Sequence, residues 1–408
     1  MRVGVVWLAM AAGGVMGAVG CFAGPPGGGG GGAGGGGAGG GGAGGGGGVG
    51  VEGALLFAPQ TAIPTASGRV AVTGDVNKDS RADLVVGGNG PTGDGGNALL
   101  GSGTGSFTTG ALFSTVAQPS WFALGDLNGD GNLDLVAALG SGAAFGNVAL
   151  ALGNGAGGFA MASGLVGEPQ PISVVTGDFN QDGKSDVATA NGNGGAGTGA
   201  SVFLSGRTTH DNYNVGRAPA VIASGDWNGD GQIDLVVGGG DATSGNFTIL
   251  LGKADGSFGA LGMVALTRAA VALGSGDLDG DGRLDLVVGL GGGDILVALG
   301  KGDGTFTLGA TVHALSGPGA VTHVVVADFN GGGRLDVATL VLPAAGQAYL
   351  TVLLGNGNGT LQAPVKFGTF DTTGITAASL TSGDYDGDGR RDLAVAHGNV
   401  DLFLNRSR

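Results

Sequence analysis

From Val51 to the last residue the chain alternates short runs of Val, Leu, Ala and Ile with clusters of Gly, Asn and Asp, and no run keeps a helical period. Runs of four to six apolar residues bounded by turn formers predict β-strands. The clusters repeat. One strand ends in Gly, as at Val70 to Gly74 or Phe122 to Gly125, an aspartate-rich loop follows, and a second strand such as Leu135 to Ala138 or Leu286 to Gly289 comes next. A third strand ends in a Leu-Gly turn at 152–155, 251–254, 299–302 and 354–357. Phe or Leu follows six residues beyond the first Gly of that turn (Phe107, Phe159, Phe258, Phe306, Leu361), and a fourth strand leads into the next unit.

The aspartate loops set the period. They begin at Asp75, Asp126, Asp178, Asp226, Asp277, Asp328 and Asp384, so the starts lie 51, 52, 48, 51, 51 and 56 residues apart. Four strands in about fifty residues is the size of one propeller blade. The chain is therefore predicted to be all-β, a seven-bladed β-propeller of four-stranded blades. The last unit reaches only its third strand, at 401–405, whereas the segment 54–59 precedes the first unit. If that segment supplies the missing strand, the N-terminal strand pairs with the last blade and no sheet edge stays open at the joint.

Each loop offers oxygen ligands at positions 1, 3, 5 and 9, a backbone carbonyl at position 7, and Gly at position 6 for a sharp bend. The candidate calcium ligands run as follows. Blade by blade they are Asp75, Asn77, Asp79, Arg81 and Asp83; Asp126, Asn128, Asp130, Asn132 and Asp134; Asp178, Asn180, Asp182, Lys184 and Asp186; and Asp226, Asn228, Asp230, Gln232 and Asp234. Then come Asp277, Asp279, Asp281, Arg283 and Asp285; Asp328, Asn330, Arg334 and Asp336; and Asp384, Asp386, Asp388, Arg390 and Asp392, the residue at position 7 counting for its carbonyl. The loops at Asp277 and Asp384 carry four carboxylates and are expected to bind calcium most tightly. The loop at Asp328 has Gly332 at position 5 and is expected to be weakest of up to seven sites. Position 2 is apolar or aromatic throughout (Val76, Leu127, Phe179, Trp227, Leu278, Phe329, Tyr385), which predicts packing between blades.

Charge agrees with this reading. The chain has 408 residues and a formal net charge of -15, and the seven loops hold 22 of its 32 acidic residues. Close carboxylates repel one another, no compensating Lys or Arg recurs at a position whose side chain is a ligand, and seven calcium ions would leave a net charge near -1. The acidity and the lack of a Lys/Arg cluster exclude a nucleic-acid partner and electrostatic binding to an anionic membrane surface.

These features resemble the FG-GAP or VCBS repeats of integrin alpha-subunit propellers, some fungal lectins and many bacterial envelope proteins. The resemblance covers residues 51 to 408 and implies the closed calcium-binding propeller, and only weakly a function.

The N-terminal part reads differently. Arg2, an apolar stretch from Val3 to about Val19, and small residues at Ala18 and Gly20 form an export signal over 1–20. Cys21, the only cysteine, follows Ala18-Val19-Gly20, which resembles the lipobox of bacterial lipoproteins. The resemblance implies a lipid on Cys21 as the only membrane attachment; ordinary cleavage at the same bond would give a secreted protein. A Gly/Ala tract closes the 21–50 segment as a tether with a reach of roughly 30 Å, leaving 51–408 as the folded domain. The expected location is the bacterial cell envelope.

Chemistry beyond calcium is sparse. The four histidines (His210, His313, His323, His397) stand in unrelated contexts, and the only glutamates are Glu52 and Glu168. No nucleophile elbow or metal spacing involves them, so no catalytic residue is assigned and no enzyme is expected. The expected function is a monomeric surface recognition or adhesion module for an extracellular protein or glycan. The alternatives are a polysaccharide-active hydrolase or lyase with a loop-built site, and a structural envelope protein without a specific ligand. Binding is expected on the face opposite the calcium loops, at the connections 87–97, 191–200 and 342–348. Trp121 and His323, five residues before their loops, either line the channel mouth there or pack. The segment Ser205 to Gly216, with Arg207, His210 and Tyr213, breaks the pattern in what counts as the fourth unit.

Overall fold

The computed structural model describes residues 55–407 except 59–60, 91–92, 116, 144–145, 193–194, 196, 208, 315–318, 344–346 and 371–377. The expected export signal, Cys21 and the Gly/Ala tract lie outside the described residues. The first strand, β1 (Thr61–Gly68), stands apart from its sequence neighbours. Blade 1 follows as β2 to β5 (Val70–Gly74, Asp83–Gly90, Gly93–Gly101, Phe107–Ser114), and blade 2 as β6 to β9 (Pro119–Gly125, Asp134–Ala143, Gly146–Gly153, Phe159–Leu165). Blade 3 is β10 to β13 (Pro171–Gly177, Asp186–Asn191, Gly199–Phe203, Asp211–Asn214), and blade 4 is β14 to β17 (Pro219–Gly225, Asp234–Gly240, Gly245–Gly252, Phe258–Leu266). Blade 5 is β18 to β21 (Ala270–Gly276, Asp285–Leu290, Asp294–Gly300, Phe306–His313), and blade 6 is β22 to β25 (Gly319–Ala327, Asp336–Pro343, Ala348–Leu353, Val365–Phe370). Blade 7 takes β26 to β28 (Ser379–Gly383, Asp392–Ala396, Gly398–Phe403) and borrows β1 as its outer strand. All seven sheets are four-stranded and antiparallel, as expected.

Ring closure occurs with a shifted strand. The segment 54–59 contributes one bridge, Phe57 to Asn405, whereas the ladder proper pairs Thr61, Ala62 and Ile63 with Leu402, Asp401 and Val400. The turn formers around Pro59 concealed that the strand resumes after them.

The core lies between blades. Phe179 of blade 3 meets Phe258 of blade 4 with ring centroids 5.5 Å apart, and Phe107 of blade 1 meets Tyr385 of blade 7 at 5.7 Å. Position 2 of the loops feeds this packing as expected: Val76, Phe179, Trp227, Leu278, Phe329 and Tyr385 are all buried. Five of the innermost strands, β6, β10, β14, β18 and β22, shift register just before the residue five positions ahead of the aspartate loop. Such bulges twist and re-aim a strand.

Candidate metal centres and the two faces of the ring

Each loop is a small lattice of backbone amides on carboxylates. In every blade the position-1 aspartate accepts through Oδ2 from the N–H of position 6, at 2.8–2.9 Å. The same carboxylate accepts from the N–H of position 5, which also donates to the side-chain oxygen of position 3. This winding needs two left-handed residues. Position 6 is one, with φ from 64° at Ser80 to 85° at Gly183, and position 4 is the other, with φ of 63° at Lys78, 59° at Gln181 and 79° at Gly129. The need at position 4 was legible only as a preference for Gly there.

Two loops gather carboxylates as a cation requires. One oxygen each from Asp277, Asp279 and Asp285, and one each from Asp384, Asp386 and Asp388, lie within 4.8 Å of one another. These are the two loops with four carboxylates. With amide oxygens and the position-7 carbonyl added, the donor set is all oxygen, which suits a hard cation such as calcium.

The structure corrects the expectation about compensating cations. Position 7 brings a guanidinium back onto position 5 in three blades: Arg81 to Asp79 at 3.7 Å, Arg283 to Asp281 at 3.3 Å and Arg390 to Asp388 at 2.8 Å. In blade 7 Arg406 adds a second, 2.5 Å from Asp386 and 3.7 Å from Asp388. The two four-carboxylate loops thus differ in their surroundings. Blade 5 has one cation on its outer carboxylate, whereas blade 7 has two and does not bring Asp392 into its cluster.

Position 9 does more than offer a ligand. The carboxylates of Asp83, Asp134, Asp186, Asp234, Asp285, Asp336 and Asp392 are buried. Each accepts through Oδ2 from the N–H of position 2, at 2.8–3.0 Å. Through Oδ1 each accepts from the turn between the third strand and the next one, at Gly101, Gly153, Ser205, Gly252, Gly300, Gly355 and Asn405. The aspartate thus clamps two turns of its own blade. This explains the repeated Leu-Gly signal: a Cβ on Gly153 would fall on the carbonyl oxygen of Leu133. Burial outweighs these bonds and raises the carboxyl pKa, to about 6 at Asp234, Asp336 and Asp392.

The same turns reach the preceding blade. Gly157 donates to the position-2 carbonyl of Val76, Gly304 to Trp227, Gly359 to Leu278 and Gly105 to Tyr385. In blade 7 the Asn405 amide takes that part, donating to Phe329 O at 2.8 Å. Loop geometry and blade stacking are thereby one system.

On the axis, Trp121 of blade 2 and His323 of blade 6 stack across the ring with centroids 5.3 Å apart and planes 15° apart. Both are buried, at 3% and 0% exposure, so they close the channel rather than line its mouth. Burial lowers the His323 pKa to about 3, which keeps the imidazole neutral. A cavity of about 980 Å³ remains, with Trp121, Thr73, Thr176 and Ser275 in its wall and Asp75, Asp277 and Asp328 at its rim.

The face opposite the loops is irregular. Every aspartate loop spans eight residues between its strands, but the second-to-third strand connections range from one residue (His397) to seven (192–198). The connection expected at 87–97 is mostly hairpin, since β3 and β4 continue to Gly90 and from Gly93. The segment Ser205 to Gly216 belongs to the third blade, not the fourth, because it carries the turn and outer strand that follow β12. There Tyr213 pairs with Ala200, and its hydroxyl accepts from Phe258 N at 3.1 Å.

An FG-GAP-like repeat model matches residues 75–137, 226–288, 277–339 and 340–395, and an FG-GAP repeat model matches 171–204. No curated protein matches the sequence. Among solved structures, BBS1N in complex with ARL6DN, soaked with mercury, is similar at a TM-score of 0.57 with 14% identity, covering 87% of this chain and 98% of that one. The same complex soaked with lead gives 0.56 and 14%, covering 88% and 99%. At such identity the likeness concerns the fold alone.

Proposed function

This chain belongs to the FG-GAP-like repeat family, whose model spans more than half of it, and on that premise we propose that it is a calcium-stiffened recognition module of the cell surface, not an enzyme. The observation that carries the reading is the asymmetry of the ring. One face repeats a fixed eight-residue loop seven times, and the other varies its connections from one to seven residues. Constant loops serve the scaffold; variable loops on a rigid scaffold are where binding specificity resides. The similar BBS1N structures come from a complex with another protein, which supports a binding role for such rings.

Calcium would be held by positions 1, 3, 5 and 9 with the position-7 carbonyl, and would supply positive charge beyond what the position-7 arginines give. Residues 1–20 would direct export, and a lipid on Cys21 would tether the ring to the envelope through the Gly/Ala tract. The partner is an extracellular protein or glycan. Binding of the purified chain to matrix proteins and to a glycan array, with calcium and after its removal, tests the reading. Calcium-dependent binding to a defined partner supports it. Equal melting temperatures with and without calcium, or turnover of a polysaccharide, would overturn it. Mass spectrometry of the envelope-extracted chain, with Cys21→Ser for comparison, tests the lipid.

A further inference from the structure

Blade 3 departs from its neighbours in one row of residues. Thr189, Ser201 and Asn212 lie side by side on β11, β12 and β13, and Asn191, Gly199 and Asn214 form the next row on the same sheet face. In blade 2 the first row reads Ala137, Ala149, Gly164, and in blade 4 it reads Val237, Thr248, Met263. Burying polar groups costs stability unless they bond to one another. Here they do so in one direction. The Thr189 hydroxyl donates to Asn191 Oδ1 at 2.9 Å, Asn191 Nδ2 to Ser201 Oγ at 2.9 Å, and Ser201 Oγ to Asn212 Oδ1 at 2.7 Å. Asn212 Nδ2 donates to Glu168 Oε1 at 3.1 Å. A relay that starts in the blade interior thus ends on a carboxylate at the surface, and chains of this kind polarise one another.

Glu168 is pinned at three points, its N–H donating to Ser201 Oγ at 3.4 Å. Its carbonyl accepts from Asn147 Nδ2 of blade 2 at 3.0 Å, and its side chain is held by blade 3. Against blade 3 lies a groove of about 350 Å³ lined by Glu168, Asn191, Thr198, Asn212 and Asn214. Among the described residues no Lys or Arg lines it and one carboxylate does, which disfavours an anion. A divalent cation is poorly served, because Glu168 is the one carboxylate among the described lining residues, against two to four in each aspartate loop. Among the described residues, Glu168 Oε2, the Asn214 amide nitrogen and the Thr198 hydroxyl carry no protein partner. A fixed acceptor beside fixed donors fits a ligand whose groups both donate and accept, which is a hydroxyl.

We propose that this groove on blade 3 is a carbohydrate site for a neutral saccharide, gripped by Glu168, Asn212 and Asn214. It rests on the recognition reading and gives that reading a ligand class. The test titrates the full chain with D-glucose, D-galactose, D-mannose, L-fucose, N-acetylglucosamine and their common disaccharides by calorimetry and saturation-transfer NMR. At least one is expected to bind with a Kd of about 1 mM or tighter. Glu168→Gln and Asn214→Ala, both at exposed positions, are expected to weaken it about ten-fold or more with unchanged melting temperature. No saccharide binding by the native chain, or native affinity in both variants, overturns the site. In either case, calcium-dependent capture of a protein partner would leave the recognition reading standing. Saccharide binding lost with Glu168, without any matrix-protein capture, would narrow the partner to glycan.

Discussion

Removing calcium should invert the pH dependence of stability. Asp234, Asp336 and Asp392 are buried, and in the ion-free fold their carboxyls titrate near pH 6 instead of 3.8. The folded state then binds more protons than the unfolded state between those values, so stability must fall as pH rises through that window. A shift of about two units corresponds to roughly 3 kcal/mol per group. Three such groups in separate blades give an effect of several kcal/mol, a large share of the 5–15 kcal/mol typical of a domain. Carboxyls held low act in the opposite direction at lower pH. Asp241, lowered to about 2 by bonds from the Thr243 amide and hydroxyl, favours the fold above pH 3.8 and loses that contribution as pH falls toward 2. Ion-free stability should therefore peak near pH 4 and decline toward pH 7. If calcium binds as proposed, the ion would take the deprotonated carboxylates, and the decline should vanish or reverse. The assay is urea unfolding in metal-depleted buffer from pH 3.5 to 8, with and without 1 mM calcium, followed through the buried Trp121 and Trp227. Ion-free stability that rises between pH 4 and 7 would refute the burial argument, because the position-9 bonds would then outweigh desolvation.

Other outcomes follow from single contacts. Trp121→Ala empties the centre of the ring and removes the stack on His323, and should cost about 3–5 kcal/mol in urea unfolding; a cost under about 1 kcal/mol would mean that the plug bears no load. Ser80→Gly relieves a side chain at φ 64°, and should raise stability by up to about 1 kcal/mol in a thermal or urea melt. Arg406→Ala removes a guanidinium from Asp386 and Asp388, and should tighten the blade 7 site several-fold in a calcium titration while leaving the blade 5 site, which is expected to be tightest, unchanged.

The period of the aspartate loops determined most of the architecture. Seven starts about fifty residues apart, with strands of fixed polarity around them, leave few ways to bury the apolar runs other than seven stacked sheets, and the short last unit announced closure. The loop positions and the packing role of position 2 were legible for the same reason: a requirement that recurs seven times shows itself as a pattern. What occurs once does not. Trp121 and His323 stand 202 residues apart, and only the closed ring sets them face to face. The arginines at position 7 look like solvated charges until the loop winds their side chains back onto the carboxylates. The position-9 clamp joins residues some 13 to 19 apart through backbone groups, which carry no sequence signal beyond a glycine. The polar row of blade 3 is invisible until strand register brings Thr189, Ser201 and Asn212 together, because cross-strand neighbours are set by pairing and not by spacing along the chain.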